Sequence, residues 1–316
     1  MSLLAAGIIN YHEYEDTRRC IDLLMASGRR PDRILVADNE SEPGRAAELV
    51  RRLGADNVLA SPANRGYSGG ANAILRETRD AEFTLLLNPD VRVGPRYCLD
   101  LLRAAESSPR SAVFGGKLVR PDGRTLDSTG TVAWRNTRIR DRASGKTDDG
   151  RFERPEEVFG ATGAAILLRR QALEEIRIGD EYFDEDFFLY HEDSDLCWRL
   201  RLAGWKALYV PSAVAEHTRA WRIEERQGLS RLARGHSFKN HYLKLVKNIL
   251  PAQAARDGLH ILGLEALRLG YAALREPFLL GYAWDAVTLL PRAFRKRHAI
   301  MRRRRVGWRE LSRWFI

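Results

Sequence analysis

Apolar and polar positions follow two alternating rhythms over the first third of the chain. Short apolar runs at residues 3–10, 33–38, 57–61 and 83–87 read as strands. Between them, apolar residues at helical spacing predict helices over 16–27, 45–53 and from 71 to 78. In the first of these, Cys20, Leu23 and Leu24 share one face. Strands that are apolar throughout and separated by helices indicate βα units covered on both faces, so the expected core is a mainly parallel sheet. The middle is less regular. Residues 120–149, rich in Arg, Asp, Gly and Thr, predict a hairpin or mobile loop. A strand over 163–169 and a short helix over 171–176 follow. A helix then runs over 194–203, with Leu196, Arg199, Leu200 and Ala203 in phase and Gly204 as its stop. Beyond about residue 220 the pattern becomes amphipathic helix with clustered basic residues, which suggests a division into 1–220 and 221–316.

Polar residues collect where the strands end. Asn10-Tyr11, Asp38-Asn39, Asn64-Arg65-Gly66 and Asn88-Pro89-Asp90 each follow a strand. Open parallel sheets bind ligands outside the carboxyl ends of their strands, so four such clusters on one edge predict a nucleotide pocket. Asp90, on a short turn after a buried strand, is placed to hold Mg²⁺ or Mn²⁺ together with substrate phosphates. A plain turn is the competing reading, because Asn, Pro and Asp are common turn formers.

The segment 183–199, FDEDFFLYHEDSDLCWR, is the most informative. It sets carboxylates among Phe183, Phe187, Phe188 and Tyr190 just before a helix. Carboxylates beside apolar groups have raised pKa values and exchange protons near neutrality. Helix capping by Asp193 or Ser194 accounts for part of the pattern and is compatible with catalysis.

These stretches together resemble family 2 of the inverting glycosyltransferases, of GT-A fold, and within it a rhamnosyltransferase-like branch. The matching residues are 36–41 (VADNES), 64–72 (NRGYSGGAN), 87–90 (LNPD), 163–170, 183–199, Gly204-Trp205, Tyr209-Val210-Pro211 and His217. They fall in order over about residues 3–220. Two positions depart from the pattern: Ala37, and Asn88 in place of the first carboxylate of an Asp-x-Asp motif. The second leaves one charge fewer for a metal and makes a further ligand more important.

The resemblance implies an α/β GT-A fold, Rossmann-like with a mainly parallel central sheet, followed by the helical basic extension. It implies that Asp38 bonds the donor's pyrimidine, that Asn10 and Tyr11 line the same pocket, and that Gly69, Gly70 and Asn72 pass close to the donor. Asn88 lies beside Asp90, the implied ligand of Mg²⁺ or Mn²⁺, with His217 completing the metal shell. Asp193 corresponds to the general base; Glu192 and Asp195 compete for that role. The implied reaction moves a sugar from a nucleoside diphosphate, dTDP-L-rhamnose first and UDP-galactofuranose or a UDP-hexose behind it. The acceptor is a lipid-linked (polyprenyl) or polysaccharide hydroxyl in cell-surface glycan synthesis. A nucleotidyltransferase shares such a sheet, but Asn10-Tyr11-His12-Glu13 lacks the Gly-rich basic loop expected after its first strand. A non-catalytic basic binder leaves Glu192-Asp193 and the strand-end carboxylates without a role.

Composition sharpens the picture at three points. The 316 residues are 44% apolar, enough for a large core, and carry a net charge of +10 that favours polyanionic partners. Cys20, Cys98 and Cys197 are scattered and fit reduced core thiols of a cytoplasmic protein. The start Met1-Ser2-Leu3-Leu4 has no basic region of a leader, and no run reaches the ~18 apolar residues of a membrane span. Basic residues crowd 292–305 downstream of the apolar stretch 277–284. That pairing predicts peripheral contact with the inner face of an anionic membrane, with homodimer packing as the other possibility. The tail lacks the interleaved aromatics and reader fold of a nucleic-acid partner.

Overall fold

The computed structural model describes residues 2–218 and 230–316. Parallel pairing joins β1 (Leu4–Asn10) to β2 (Arg33–Asp38) and β4 (Phe83–Leu87), and β2 to β3 (Val58–Ala60). Beyond β4 the sheet becomes mixed. β11 (Ala165–Arg169) lies antiparallel between β4 and β6 (Ser111–Val119). β12 (Lys206–His217) runs parallel to β6, and β10 (Glu156–Val158) closes the edge. The order is β10-β12-β6-β11-β4-β1-β2-β3.

The two-residue period divides the core. Leu4, Ala6, Ile8, Leu85 and Leu87 pack on one face with residues of α1 (Tyr14–Met25) and α4 (Tyr97–Ser107). Ile9, Leu35 and Leu86 pack on the other with α3 (Gly66–Glu77), α5 (Arg170–Ile176) and α6 (Glu192–Leu202). α2 (Pro43–Leu53) covers β3.

The expected strands and helices of the first third are present, with one instructive shift. α3 begins at Gly66, earlier than the glycine-rich sequence suggests, because glycine disfavours helix in isolation. Here the glycines are needed for close packing: a Cβ on Gly70 would lie 2.8 Å from Ile9 Cγ2. The 120–149 stretch forms β7 (Leu126–Ser128) and a hairpin of β8 (Thr131–Ala133) with β9 (Ile139–Asp141). β12, interrupted by a register shift between Val210 and Val214 where Pro211 sits, was not legible as a strand.

The C-terminal helices are α7 (Arg231–Asn248), α8 (Pro251–Arg275), α9 (Leu279–Arg302) and α10 (Trp308–Ser312). They are seated on the sheet domain. Phe315 bridges to Ala133 and its ring meets Phe159 and Trp198 at 5.6 and 4.9 Å between centroids. Lys247 of α7 and Lys296 of α9 are ion-paired to Asp184, and Lys247 also to Asp195. All three cysteines are buried free thiols. Among the described residues no helix is long and apolar enough to cross a membrane.

Candidate active site

Parallel register brings the ends of β1, β2 and β4 to one edge, where Asn10 stands opposite Asp38 and Ile8 opposite Leu87. Asp38 is fully buried there. Its carboxylate accepts hydrogen bonds from Asn10 Nδ2 at 2.6 Å, Ser41 Oγ at 2.6 Å and Tyr14 Oη at 3.2 Å. Next to it, Asn39 donates to the Gly66 carbonyl at 3.1 Å and accepts from the Arg65 amide at 3.2 Å, clamping the start of α3.

A second group forms where the last residue of β12 meets β5 (Val91–Val93). His217 pairs with Val91 across these strands, which sets its imidazole beside Asp90. His217 Nε2 lies 3.4 Å from Asp90 Oδ1, and Nδ1 lies 2.7 Å from Asp127 Oδ2 on β7. Burial works against a charge on this ring. The bonds to Asp127 and Asp90 outweigh it and lift the pKa to about 9. A carboxylate behind a histidine that faces a second carboxylate is the arrangement in which the rear partner fixes the ring nitrogen presented to a metal. Asp90, together with His217 once a cation displaces the ring proton, could thus hold a divalent ion. Among the described residues no group of three or more His, Cys, Asp or Glu is suited to one, so water and phosphate oxygens would complete such a shell.

The third group lies at the start of α6. Asp193 Oδ2 accepts from the Gly163 amide at 2.9 Å and Oδ1 from the Ser194 amide at 2.6 Å. The Gly163 carbonyl accepts from Tyr67 Oη at 2.7 Å, so Asp193 is tied through one glycine to α3. Glu192 is 7% exposed, and burial, then the neighbouring Asp193, push its carboxyl well above the usual range. Its Oε2 has no hydrogen-bond partner. Asp195 has no exposure. It accepts from Arg199 Nε at 2.9 Å, Lys247 Nζ at 3.0 Å and Asn248 Nδ2 at 2.7 Å, which removes it from contention as a base.

The turn leading to Glu192 is strained. Phe188, Tyr190 and His191 all have φ between 66° and 71°, a left-handed region costly for such residues. Asn240 of α7 holds it there, its Nδ2 lying 2.8 Å from each of the Phe187, Leu189 and Tyr190 carbonyls. His191 Nδ1 faces Lys244 Nζ at 3.2 Å and Nε2 faces Ser237 Oγ at 3.4 Å. Burial, then the nearby Lys244, keep this ring neutral, well below the ordinary histidine range.

A cavity of about 870 Å³ joins these groups. Tyr11, Asn88, Asp90, His217 and Asp193 all line it, so five of the residues singled out in the sequence converge. Asn10, Asp38, Gly69 and Asn72 do not line it. Asn10 and Asp38 are buried against each other behind the wall. A Cβ on Gly69 would lie 2.5 Å from Arg65 Cβ, so that glycine serves packing within α3. Asn72 is consumed by the 182–185 segment, accepting from the Tyr182 and Phe183 amides and donating to the Phe183 carbonyl and Glu185. Asn39, Asn64 and Gly66, from the strand-end clusters expected to form the pocket, do line it, together with Ile9. Sequence reasoning also missed Asp127, which carries no local signal, and the α7–α8 side of the cavity, where Arg234, Phe238 and Arg268 stand.

Comparison with known proteins places the chain in a family. Residues 6–177 match the family described as glycosyl transferase family 2. The chain is 29% identical over 276 residues to an N-acetylglucosaminyl-diphospho-decaprenol L-rhamnosyltransferase of Mycobacterium tuberculosis, covering 77% of this chain and 84% of that protein. It is 25% identical over 203 residues to a low-salt glycan biosynthesis hexosyltransferase of Haloferax volcanii, covering 63% of this chain and 61% of that one. Among solved structures, a mannosyltransferase from Pyrobaculum calidifontis in complex with GDP-Man and Mn²⁺ superposes with a TM-score of 0.54 at 16% identity, over 92% of this chain and 76% of that chain. GalNAc-T7 with UDP, GalNAc and Mn²⁺ gives a TM-score of 0.60 at 13% identity, covering 78% of this chain and 48% of its own. The sheet with its C-terminal helices is therefore a GT-A-like fold, and the chain belongs to glycosyl transferase family 2, a family of sugar-transferring enzymes.

Proposed function

We propose that the chain transfers L-rhamnose from dTDP-L-rhamnose, with inversion, to a hydroxyl of a polyprenyl-linked saccharide. The single observation behind the chemistry is that Asp90 with His217, and Asp193, line one sugar-accommodating cavity. The printed activity of the mycobacterial relative supports the donor and the lipid-linked acceptor.

Each residue has a task. Tyr11, Asn39 and Asn64 border the donor end, where the strand edge presents polar groups to a nucleoside. Asp90 and His217 would hold Mg²⁺ or Mn²⁺; such an ion, when bound, neutralises charge gathering on the leaving diphosphate. Asp193, oriented by the Gly163 and Ser194 amides, takes the proton from the attacking hydroxyl. Glu192, kept protonated by burial, leaves Asp193 the available acceptor of that proton. Attack from the Asp193 side against departure on the Asp90 side is one displacement, and inverts the anomeric centre.

Hydrolysis and transfer across a panel of dTDP- and UDP-sugars, with Mg²⁺, Mn²⁺ or chelator, tests this reading. The expectation is selectivity for dTDP-L-rhamnose and loss of turnover on chelation. Preference for UDP-galactofuranose or a UDP-hexose would replace the donor while keeping the mechanism. Turnover undiminished by chelator would remove the metal role from Asp90 and His217.

Peripheral contact with an anionic membrane is part of the proposal. On α9, Leu280, Trp284, Val287 and Phe294 recur at helical spacing and are all exposed, Trp284 by 68%. On α8, Leu259, Leu262 and Leu269 do the same. Exposed Arg295, Arg302, Arg303 and Arg304 lie on the same end of the chain. Part of the basic cluster is used internally: Lys296 pairs with Glu181, Asp184 and Asp186, and Arg292 with Asp186.

A further inference from the structure

The wall of the cavity contributed by the C-terminal helices has no task in donor binding or proton transfer, and its chemistry is distinctive. Arg234 from α7 and Arg268 from α8 both line it. The two side chains are only 17% and 27% exposed, and the Nε of each is buried. Glu276 pairs with Arg234 through a terminal nitrogen, while Glu265 reaches Arg268 Nε only at 3.7 Å, beyond hydrogen-bond distance. Arg268 lies 5.2 Å over the ring of Phe238, and Arg234 lies 5.2 Å over the ring of Phe278. Two partly desolvated guanidinium groups on the cavity wall, fixed against aromatic rings, have the chemistry to receive a phosphate-type anion.

The surroundings specify what the anion is attached to. Phe238, Leu267, Tyr271 and Leu279 line the same part of the cavity, and Leu267 is 73% exposed, so the apolar wall runs out to the surface. An anion receptor that continues into an apolar wall suits an amphiphile with a phosphorylated head. Its position relative to the chemistry is also fixed. Ser237, between Arg234 and Phe238 on one turn of α7, sits 3.4 Å from His191, two residues before Asp193. The donor end, at Ile9, Tyr11 and Asn39, is built from other elements.

We propose that Arg234 and Arg268 form an acceptor-side diphosphate subsite, with Phe238, Leu267, Tyr271 and Leu279 holding the first units of a prenyl chain. This rests on the glycosyltransferase reading above and adds to it the group by which the acceptor is seized. The arginines fix the phosphate while the sugar beyond it extends towards Asp193. Diphosphate is also present in the donor, so the test separates the two sources.

The probe is geranyl diphosphate, titrated calorimetrically into the full-length protein with Mn²⁺ and saturating dTDP. Saturable binding in the presence of dTDP is expected, with geraniol and inorganic diphosphate both weaker. Arg268→Gln and Arg234→Gln should each weaken the probe by ~10-fold or more, the scale of a charge-assisted hydrogen bond, while dTDP affinity stays unchanged and circular dichroism shows each variant folded. Arg268→Lys should recover part of the loss. Arg103→Gln, on the exposed outer side of α4, should have no effect. Competition between probe and dTDP would assign the arginines to the donor's diphosphate and overturn the subsite, as would unaltered probe affinity in both glutamine variants. Failure of dTDP itself to bind, with the probe still bound through the arginines, would instead sink the donor reading and leave the subsite standing.

Discussion

Asp193 and Glu192 are adjacent in sequence, yet the structure gives them different surroundings. Asp193 is held by two backbone amides and opens onto the cavity, whereas Glu192 is enclosed and pushed towards its neutral form. Asp193→Asn is therefore expected to reduce transfer by ~100-fold or more, since a positioned base contributes 10²–10⁴-fold. Nucleoside diphosphate binding with Mn²⁺ should persist in that variant. Glu192→Gln, which mimics the protonated carboxyl, should turn over at close to the wild-type rate. The reverse ranking of the two variants in a steady-state assay would exchange their roles. The pair was legible from sequence as a carboxylate cluster among aromatics. Its assignment was not, because Asp195 looks equivalent until Lys247, Arg199 and Asn248 are seen to occupy it.

At the scale of elements, the device that aims these carboxylates is the left-handed turn at 188–191 and the α7 residue that holds it. Asn240 has no exposure, and its amide nitrogen serves three carbonyls of the turn. Asn240→Ala should cost about 1–3 kcal/mol, the range for leaving buried polar groups unpaired. It should also lower kcat by relaxing the turn, with donor affinity little altered. Chemical denaturation and steady-state kinetics check the two effects together, and full activity alongside reduced stability would deny the turn its aiming role. Nothing in the sequence announces this turn. Left-handed φ at Phe188, Tyr190 and His191 is disfavoured locally and persists because α7 and α3 pack around it. Asp127 was missed for the same kind of reason. It reaches His217 only because β7 pairs with β6 and β6 with β12.

At the scale of the whole molecule, the C-terminal helices complete the core and the cavity. Phe315 packs on Phe159 and Trp198, and Lys247 neutralises Asp184 and Asp195, so a chain ending near residue 220 would expose apolar surface and leave buried carboxylates unpaired. Such a truncation should fail to give soluble folded protein, and a soluble cooperative fragment would show the sheet domain to be autonomous. Acid should loosen the helical side first. His236 and His241 are depressed to about 4 by burial, below the 6.5 of an unperturbed histidine. Between those values the unfolded chain binds more protons, so their contribution to stability is complete above 6.5 and is lost as the pH falls towards 4. Thermal melts across that window should show the slope, and His241→Gln should flatten it. An identical slope in the variant would trace the effect to other groups. Membrane contact is checked on the intact chain by liposome flotation. Binding to anionic but not neutral vesicles, weakened when Trp284 and Phe294 are both changed to Ser, is the expected outcome. Equal recovery on both vesicle types would refute a charge-assisted contact.

The amino-acid sequence by itself determined the alternation of strand and helix in the first third and the polar clusters at the strand ends. Period-two burial and turn chemistry act over a few residues and are written locally. It also singled out Asp90, Asp193 and His217, which the fold brings to one cavity. Only the tertiary structure decided which polar groups face the cavity. Asp38 and Asn72 carry the same kind of side chain as the residues that line it, but their hydrogen bonds are spent on segments elsewhere in the chain. The tertiary structure alone also decided that the basic C-terminal region turns Lys247 and Lys296 inward while Arg234 and Arg268 complete the cavity wall. A charge cluster in sequence records its sign, and only packing fixes the direction in which each charge points.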